Sequence, residues 1–329
     1  MMGARYPFLA PVFFNSIMKK YLLLLLLIRF LPLHAQNGVA MDTSYTVNSE
    51  YAKRIKKYPF IEIKKPVQHK SVSEISNVVY KQTQNHALHL DAFYYNKKKH
   101  NPIVVLVHGG GWKSGNKSLM IPLAEDIAAK GYACFTVEYR LSPEAQYPAA
   151  VNDVKQAIQF VKAHAQEYNA DSSRVAVLGC SSGGQMAALI GATNNTKRFE
   201  SETGEFTTSS SVQAVIDLDG ILAFHHPQSK EGTAAAQWLG GTYNEIPNAW
   251  DDASALTHTD ENMPPILFIN SQYPRFHAGR EEMIDILSSH GIYYKVETIE
   301  DSPHTFWLFN PWYDTTLNYI ISFLNTVFK

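Results

Sequence analysis

Cysteine is almost missing from this sequence: Cys134 and Cys180 are the only two among 329 residues. Two cannot build the disulfide framework of a small secreted scaffold, and their separation matches no zinc-ligand spacing. Both sit in or beside apolar runs, where buried thiols are expected. Charge is scarce as well. Charged residues make up 18%, with 29 basic against 30 acidic side chains, so no nucleic-acid partner is expected. The apolar run Tyr21–Ile28 is too short for a stable membrane span and is broken by Arg29. No internal repeat is visible. What the chain does have is 45% apolar and 12% aromatic residues. That excludes a disordered or fibrous protein and leaves material for a sizeable core. The length fits one large α/β domain or two small ones.

The same short apolar run has a different meaning at the N-terminus. Met18-Lys19-Lys20 precedes it, and Leu33-His34-Ala35-Gln36 follows Arg29. A basic start, a short apolar stretch and a small residue before the break describe a secretory signal peptide. Residues 1–35 are therefore expected to be removed, with residues 1–17 an over-long gene start and Met18 the initiator. No cysteine follows the run, so a lipoprotein anchor is not expected. Removal takes away four basic residues and leaves 25 basic against 30 acidic, a formal charge of -5. The mature chain is expected to be an exported soluble protein, periplasmic or extracellular, without a membrane span.

Beyond the signal, residues 36–74 are polar and carry basic pairs, as a surface lead-in would. From residue 75 to 329 the pattern alternates strand and helix. Asn77–Lys81 and Ala87–Tyr95 read as a hairpin. Ile103–Val107, Ala133–Tyr139, Val175–Leu178, Val212–Leu218 and Ile266–Ile269 are short and mostly apolar, as doubly buried parallel strands are. Tyr293–Ile299 closes the series. Helices are predicted over 119–130, 149–168, 183–192, 279–290 and within 312–328. The fold class is α/β: a mostly parallel central sheet of about eight strands with helices on both faces. Residues 195–211 and 225–262 are predicted as long irregular stretches that shape a cleft.

Three motifs carry chemistry. Gly179-Cys180-Ser181-Ser182-Gly183 lies between a strand and a helix. In that context a G-x-S-x-G pentapeptide is a nucleophile elbow with Ser181 at its centre. His108-Gly109-Gly110-Gly111-Trp112 follows the strand Ile103–Val107, and its bare backbone can aim N–H groups at a developing oxyanion. His108 is expected to brace that loop rather than act as a base. The third motif, Asp301–Phe306, holds His304 between the last strand and the last helix. Of 13 histidines it alone has the position of a general base for a serine upstream.

These residues resemble the α/β-hydrolase superfamily, in its hormone-sensitive-lipase-like and carbohydrate-esterase branches. The resemblance runs from about residue 75 to the C-terminus and includes Tyr139-Arg140-Leu141-Ser142-Pro143, Tyr147-Pro148-Ala149-Ala150 and Asp153. Asn270–Arg280 and Pro303–Trp307 look most like secreted bacterial esterases of plant polysaccharides, pectin and xylan among them. The resemblance implies Ser181 as nucleophile, His304 as base, and backbone N–H groups of Ser182, Gly110 and Gly111 as the oxyanion hole. It implies no cofactor and no metal. The favoured partner is an esterified polysaccharide or oligosaccharide, losing acetyl or methyl esters through an acyl-enzyme.

One departure stands out. Most of the superfamily places the triad's acid after the seventh strand, where this chain has Pro274 within Asn270-Ser271-Gln272-Tyr273-Pro274-Arg275. Asp219, just past the sixth strand, can reach the same imidazole and resembles the acid of some lipases. Asp217, Glu281 and Asp301 are the alternatives. Arg275 either clamps a uronate on the substrate or pairs internally with Asp219 or Glu281. Trp112, Trp238, Trp250, Phe306, Trp307 and Trp312 divide between core packing and stacking on sugar rings, Trp112 being the candidate beside the glycine loop. The rival readings are a serine peptidase, a general carboxylesterase or lipase of the same fold, and an inactive hydrolase fold used for binding.

Overall fold

Ile103–Val107 is a run of five apolar residues, four of them β-branched, and all five are buried. Alternation splits them between two cores. Val105 and Val107 join the cluster on one face of the sheet, Val104 and Leu106 the cluster on the other, as the two-residue period of a strand requires. In this computed structural model the described residues are 3, 42, 44–142, 144–194, 196, 199, 200 and 207–329. The expected signal peptide lies outside them, apart from residue 3.

Eight strands form one sheet: β1 (Val72–Gln82), β2 (Ala87–Tyr95), β3 (Asn101–Val107), β4 (Ala133–Val137), β5 (Ala170–Cys180), β6 (Ala214–Leu218), β7 (Ile266–Ser271) and β8 (Tyr294–Ile299). Their order is β1-β2-β4-β3-β5-β6-β7-β8. The β1–β2 and β2–β4 pairs are antiparallel and the rest parallel. Helices α3 (Ala149–Ala163), α4 (Ser182–Ala192) and α7 (Arg280–Ser289) supply side chains to the first core. Helices α2 (Ile121–Ala128) and α8 (Trp312–Val327) supply the second. This is the expected α/β-hydrolase architecture.

The irregular stretch predicted over 225–262 in fact holds two short helices, α5 (Gly232–Leu239) and α6 (Pro247–Asp252). Runs of eight and six residues are too short for a helical period to stand out in a sequence. The lead-in is also more structured than its polarity suggests. It contains helix α1 (Val47–Arg54), capped by Thr46 and Ser49 reciprocally. Further on, Glu62 and Ile63 pair antiparallel with Asn310 and Phe309, and the Lys64 N–H donates to the Leu308 carbonyl at 2.9 Å. The lead-in is thereby stitched to the chain just after the His304 loop.

Parallel strands end at one edge, so the segments after β3, β5, β6 and β7 emerge side by side. Val107 pairs with Gly179, Gly179 with Asp217, and Leu218 with Ile269. That register brings the glycine loop, Ser181, Asp219 and Ser271 together.

Candidate active site

Ser181 adopts φ 55° and ψ -121° between β5 and α4. A non-glycine residue there is strained by about 1–3 kcal/mol, and neighbouring contacts must hold it. The Ser181 N–H donates to the Leu218 carbonyl at 2.8 Å and its carbonyl accepts from Gln185 N at 3.0 Å. The glycines are required by close approach. A Cβ on Gly179 would stand 1.9 Å from the Gly183 carbonyl oxygen, and one on Gly183 would stand 2.3 Å from that of Val107. Trp112 and Asp219 also have positive φ, 60° and 52°, so backbone strain gathers around one cavity.

The side chains close into a relay. His304 Nε2 lies 2.9 Å from Ser181 Oγ, and His304 Nδ1 lies 2.8 Å from Asp219 Oδ2. The carboxylate of Asp219 is wholly buried and fully engaged. Its Oδ1 accepts from the Ser271 N–H at 2.8 Å and its Oδ2 from the Ser271 hydroxyl at 2.5 Å. Ser271 is the last residue of β7, so the strand expected to precede the acid instead grips an acid from β6. On the open face of the imidazole, the Phe276 ring stacks with centroids 3.4 Å apart and planes 11° from parallel. It is carried there by a short 3₁₀ turn, Pro274–His277.

The other acid candidates do not reach His304. Asp217 is fully buried two residues back on β6, its Oδ1 accepting from Gly220 N at 2.8 Å and its Oδ2 without a partner. Burial, and secondarily the Asp219 charge, push its acid well above the usual carboxylate range. Glu281 is paired with Arg280, and Asp301 is exposed. Arg275 pairs with neither of the carboxylates expected for it. Its Nη2 sits 3.0 Å from Glu231 Oε1, and its guanidinium lies 4.5 Å over the Phe276 ring. Glu231 itself lines the cavity beside Ser181.

That cavity is small, about 20 Å³, and is walled by Gly111, Trp112, Ser181, Ser182, Ile221 and Phe276 together with Asp219 and Glu231. Ser182 opens α4, and a first helical residue carries an N–H with no intrahelical acceptor. Gly111 has φ 62° and its N–H has no acceptor among the described residues. Gly110 makes the turn behind it: its carbonyl accepts from Ser114 N at 3.2 Å, a Cβ on it would lie 2.0 Å from the Ser114 carbonyl, and its N–H, like that of Gly111, has no acceptor among the described residues. His108 braces the loop through Nδ1, 2.8 Å from the Gly109 carbonyl, and stacks on Tyr139. Burial pushes its pKa down to about 4, so the ring is neutral. Trp112 is held by its Nε1–H to Gln185 Oε1 at 2.9 Å and by stacking on Trp238. It offers the cavity an edge rather than a free platform. Cys134 and Cys180 are buried free thiols, pushed well above the usual thiol range by burial. Among the described residues no group of three or more His, Cys, Asp or Glu could hold a metal.

The family model for BD-FAE matches residues 90–275, more than half of the chain. The chain belongs to the BD-FAE family. Among curated proteins this BD-FAE chain is 30% identical over 175 residues to Esterase LipC of Mycobacterium tuberculosis, covering 51% of the chain and 43% of LipC. It is 28% identical over 208 residues to the probable carboxylic ester hydrolase LipM of the same organism, 61% of the chain and 46% of LipM. The chain thus spans under half the length of these two relatives. Solved structures with the same fold include a truncated carbohydrate esterase from gut microbiota, at TM-score 0.69 and 23% identity, covering 79% of this chain and 99% of that one. Another is esterase 2 of Thermogutta terrifontis, at TM-score 0.62 and 23% identity, covering 79% and 93%.

Proposed function

We propose that the protein is a serine carboxylic-ester hydrolase that removes small acyl groups, acetyl first, from carbohydrate esters. The observation that carries the reading is His304 standing between Ser181 Oγ and Asp219 Oδ2 at hydrogen-bond distance on both sides. Neutral His304 takes the Ser181 proton on Nε2 as Oγ attacks the ester carbonyl. Asp219 holds the Nδ1 proton in place and stabilises the imidazolium that forms. The carbonyl oxygen, now negative, accepts from the Ser182 and Gly111 N–H groups, each such donor contributing roughly 3–4 kcal/mol in comparable sites. Collapse expels the alcohol, which takes the proton from His304. Water activated by the same imidazole then releases the acid.

Cavity size supports acetyl over longer acyl chains. About 20 Å³ is little more than the roughly 10–15 Å³ that one water-sized group needs. The carbohydrate part of the reading is supported by the fold neighbour described as a carbohydrate esterase from gut microbiota. Methyl-esterified pectin is the second substrate reading, favoured by Arg275 beside the site. Glu231 already occupies that guanidinium, which weighs against it. Export is part of the proposal, with a mature N-terminus near Gln36 checked by N-terminal sequencing.

The test has two arms. A fluorophosphonate probe should label the wild-type protein and not Ser181→Ala. Acetate release from acetylated xylan should then exceed methanol release from pectin. A folded wild-type protein that the probe leaves unlabelled would sink the hydrolase reading and favour a binding role.

A further inference from the structure

A second hollow lies beside the catalytic cavity, a shallow groove of about 680 Å³, within the roughly 300–1,000 Å³ of small-ligand sites. Its lining includes Lys113, Ser142, Gln146, Thr233 and Gln237. Two of these continue the walls of the catalytic cavity along the chain. Lys113 follows Trp112, and Thr233 stands two residues after Glu231, while Trp112 and Glu231 both face Ser181's cavity. Consecutive Cα atoms are 3.8 Å apart, so at these two places the groove's lining follows the cavity's within one or two residues of chain.

We infer that this groove holds the sugar residues that flank the esterified one, an inference resting on the carbohydrate-ester reading above. The lining chemistry fits a polyhydroxyl chain. Among the described residues the side chains of Lys113, Ser142, Gln146, Thr233 and Gln237 make no hydrogen bond within the protein. Amides and hydroxyls both donate and accept, as sugar hydroxyls do. Thr233 and Gln237 are four residues apart on α5 and therefore present one face to the groove. Opposite them Gln146 is kept clear by a glycine. Gly240 has φ 97°, and a Cβ there would lie 2.8 Å from Gln146 Oε1. Ala236 is the one wholly apolar side chain in the lining. The charges nearly balance, with Asp42 near Lys113 and Glu245 occupied by Thr242 at 2.7 Å, which suits a neutral glycan.

The experiment compares wild type with Gln237→Trp and Gln146→Ala on 4-nitrophenyl acetate and on acetylated xylo-oligosaccharide. Both variants should lower kcat/KM on the oligosaccharide at least ten-fold more than on the small ester, chiefly through KM. In parallel, Ser181→Ala protein should bind unacetylated xylohexaose by calorimetry, and Ser181→Ala/Gln237→Trp should bind it at least ten-fold more weakly. Equal losses on both substrates, or unchanged xylohexaose binding, would overturn the groove assignment while leaving ester hydrolysis intact. A wild type that cleaves 4-nitrophenyl acetate but neither deacetylates nor binds the oligosaccharide would overturn both the groove and the carbohydrate reading. No activity on the small ester, with xylohexaose still bound through the groove, would uphold the groove and refute the hydrolase.

Discussion

Replacing Asp219 by asparagine should do more than remove a charge, because the surrounding hydrogen bonds decide which way the new amide points. The Ser271 N–H donates to Oδ1 at 2.8 Å, so an asparagine must keep its carbonyl oxygen on that side. Its NH₂ then falls at the Oδ2 position, 2.8 Å from His304 Nδ1. A donor at that point forces Nδ1 to accept and moves the ring proton to Nε2, which faces Ser181 Oγ at 2.9 Å. The imidazole can no longer take the serine proton. The Ser271 hydroxyl, free to rotate and accept, stabilises this wrong tautomer further. The expected loss in kcat is roughly four orders of magnitude, about 5.5 kcal/mol of barrier, measured with 4-nitrophenyl acetate. Asp217→Asn is the internal comparison. Burial and the Asp219 charge push its acid well above the usual carboxylate range, and an amide matches a carboxyl in size and keeps the acceptor for Gly220 N. Turnover should barely change. A folded Asp219→Asn enzyme with near wild-type kcat would refute the relay, as would an Asp217→Asn enzyme that is the slower of the two.

Four further outcomes follow from the geometry. Ser181→Ala should keep its melting temperature near wild type and lose roughly a million-fold in kcat; if Ser182→Ala were the inactive variant instead, the nucleophile would be misassigned. Ser271→Ala removes one of the two bonds that Ser271 makes to the buried Asp219 carboxylate, each contributing about 1.5–3 kcal/mol, so kcat should fall roughly ten- to hundred-fold, and an unchanged rate would show that the backbone N–H suffices. Phe276→Ala should enlarge the acyl cavity and raise the ratio of 4-nitrophenyl butyrate to acetate hydrolysis, while an unmoved ratio would place the acyl group elsewhere. Burial holds His108 at about 4, and burial with Arg280 holds His277 at about 4, against about 6.5 in the unfolded chain. Because the unfolded state binds more protons below that value, stability is full above about pH 6.5 and declines toward about pH 4. Urea midpoints that do not drop between about pH 7 and about pH 5 would contradict this.

The parallel strands were readable because they are buried on both faces and so appear as unbroken apolar runs such as Ile103–Val107. The elbow was readable because its glycines answer to contacts near 2 Å that no side chain survives. Asp219 could be named as an acid candidate from its place at a strand end, but Ser271 could not be named as its partner. A serine among Asn270-Ser271-Gln272 has no distinguishing neighbour in the sequence, and its role exists only through the pairing of Leu218 with Ile269. Glu231 was hidden for a similar reason. It sits just before an eight-residue helix that leaves too few turns to show a period. The lead-in misled by its polarity: Glu50 is buried although charged, because Lys53 and Arg54 one turn later pair with it at 2.7 and 3.0 Å.

Moving the acid from β7 to β6 also changes what the β7 loop is free to do. A carboxylate at position 274 would have to point at His304 Nδ1, which fixes the loop around that one contact. With Asp219 supplying the contact from β6, residues 274–277 form a 3₁₀ turn that places Phe276 on the wall of the cavity beside Ser181. Phe276 covers the imidazole and walls the cavity beside Ser181. Arg275 lies on that ring and reaches across to Glu231, which keeps a carboxylate at the cavity wall. A carboxylate fixed there can accept hydrogen bonds from sugar hydroxyls, so the displaced acid and the proposed preference for neutral acetylated sugars share one structural basis. The link is open to measurement. Arg275→Ala frees Glu231 without touching Ser181, His304 or Asp219. Acetylated oligosaccharide hydrolysis should then weaken through KM while 4-nitrophenyl acetate turnover falls much less. Equal loss on both substrates would mean instead that Arg275 acts through Phe276 on the imidazole and has no part in choosing the sugar.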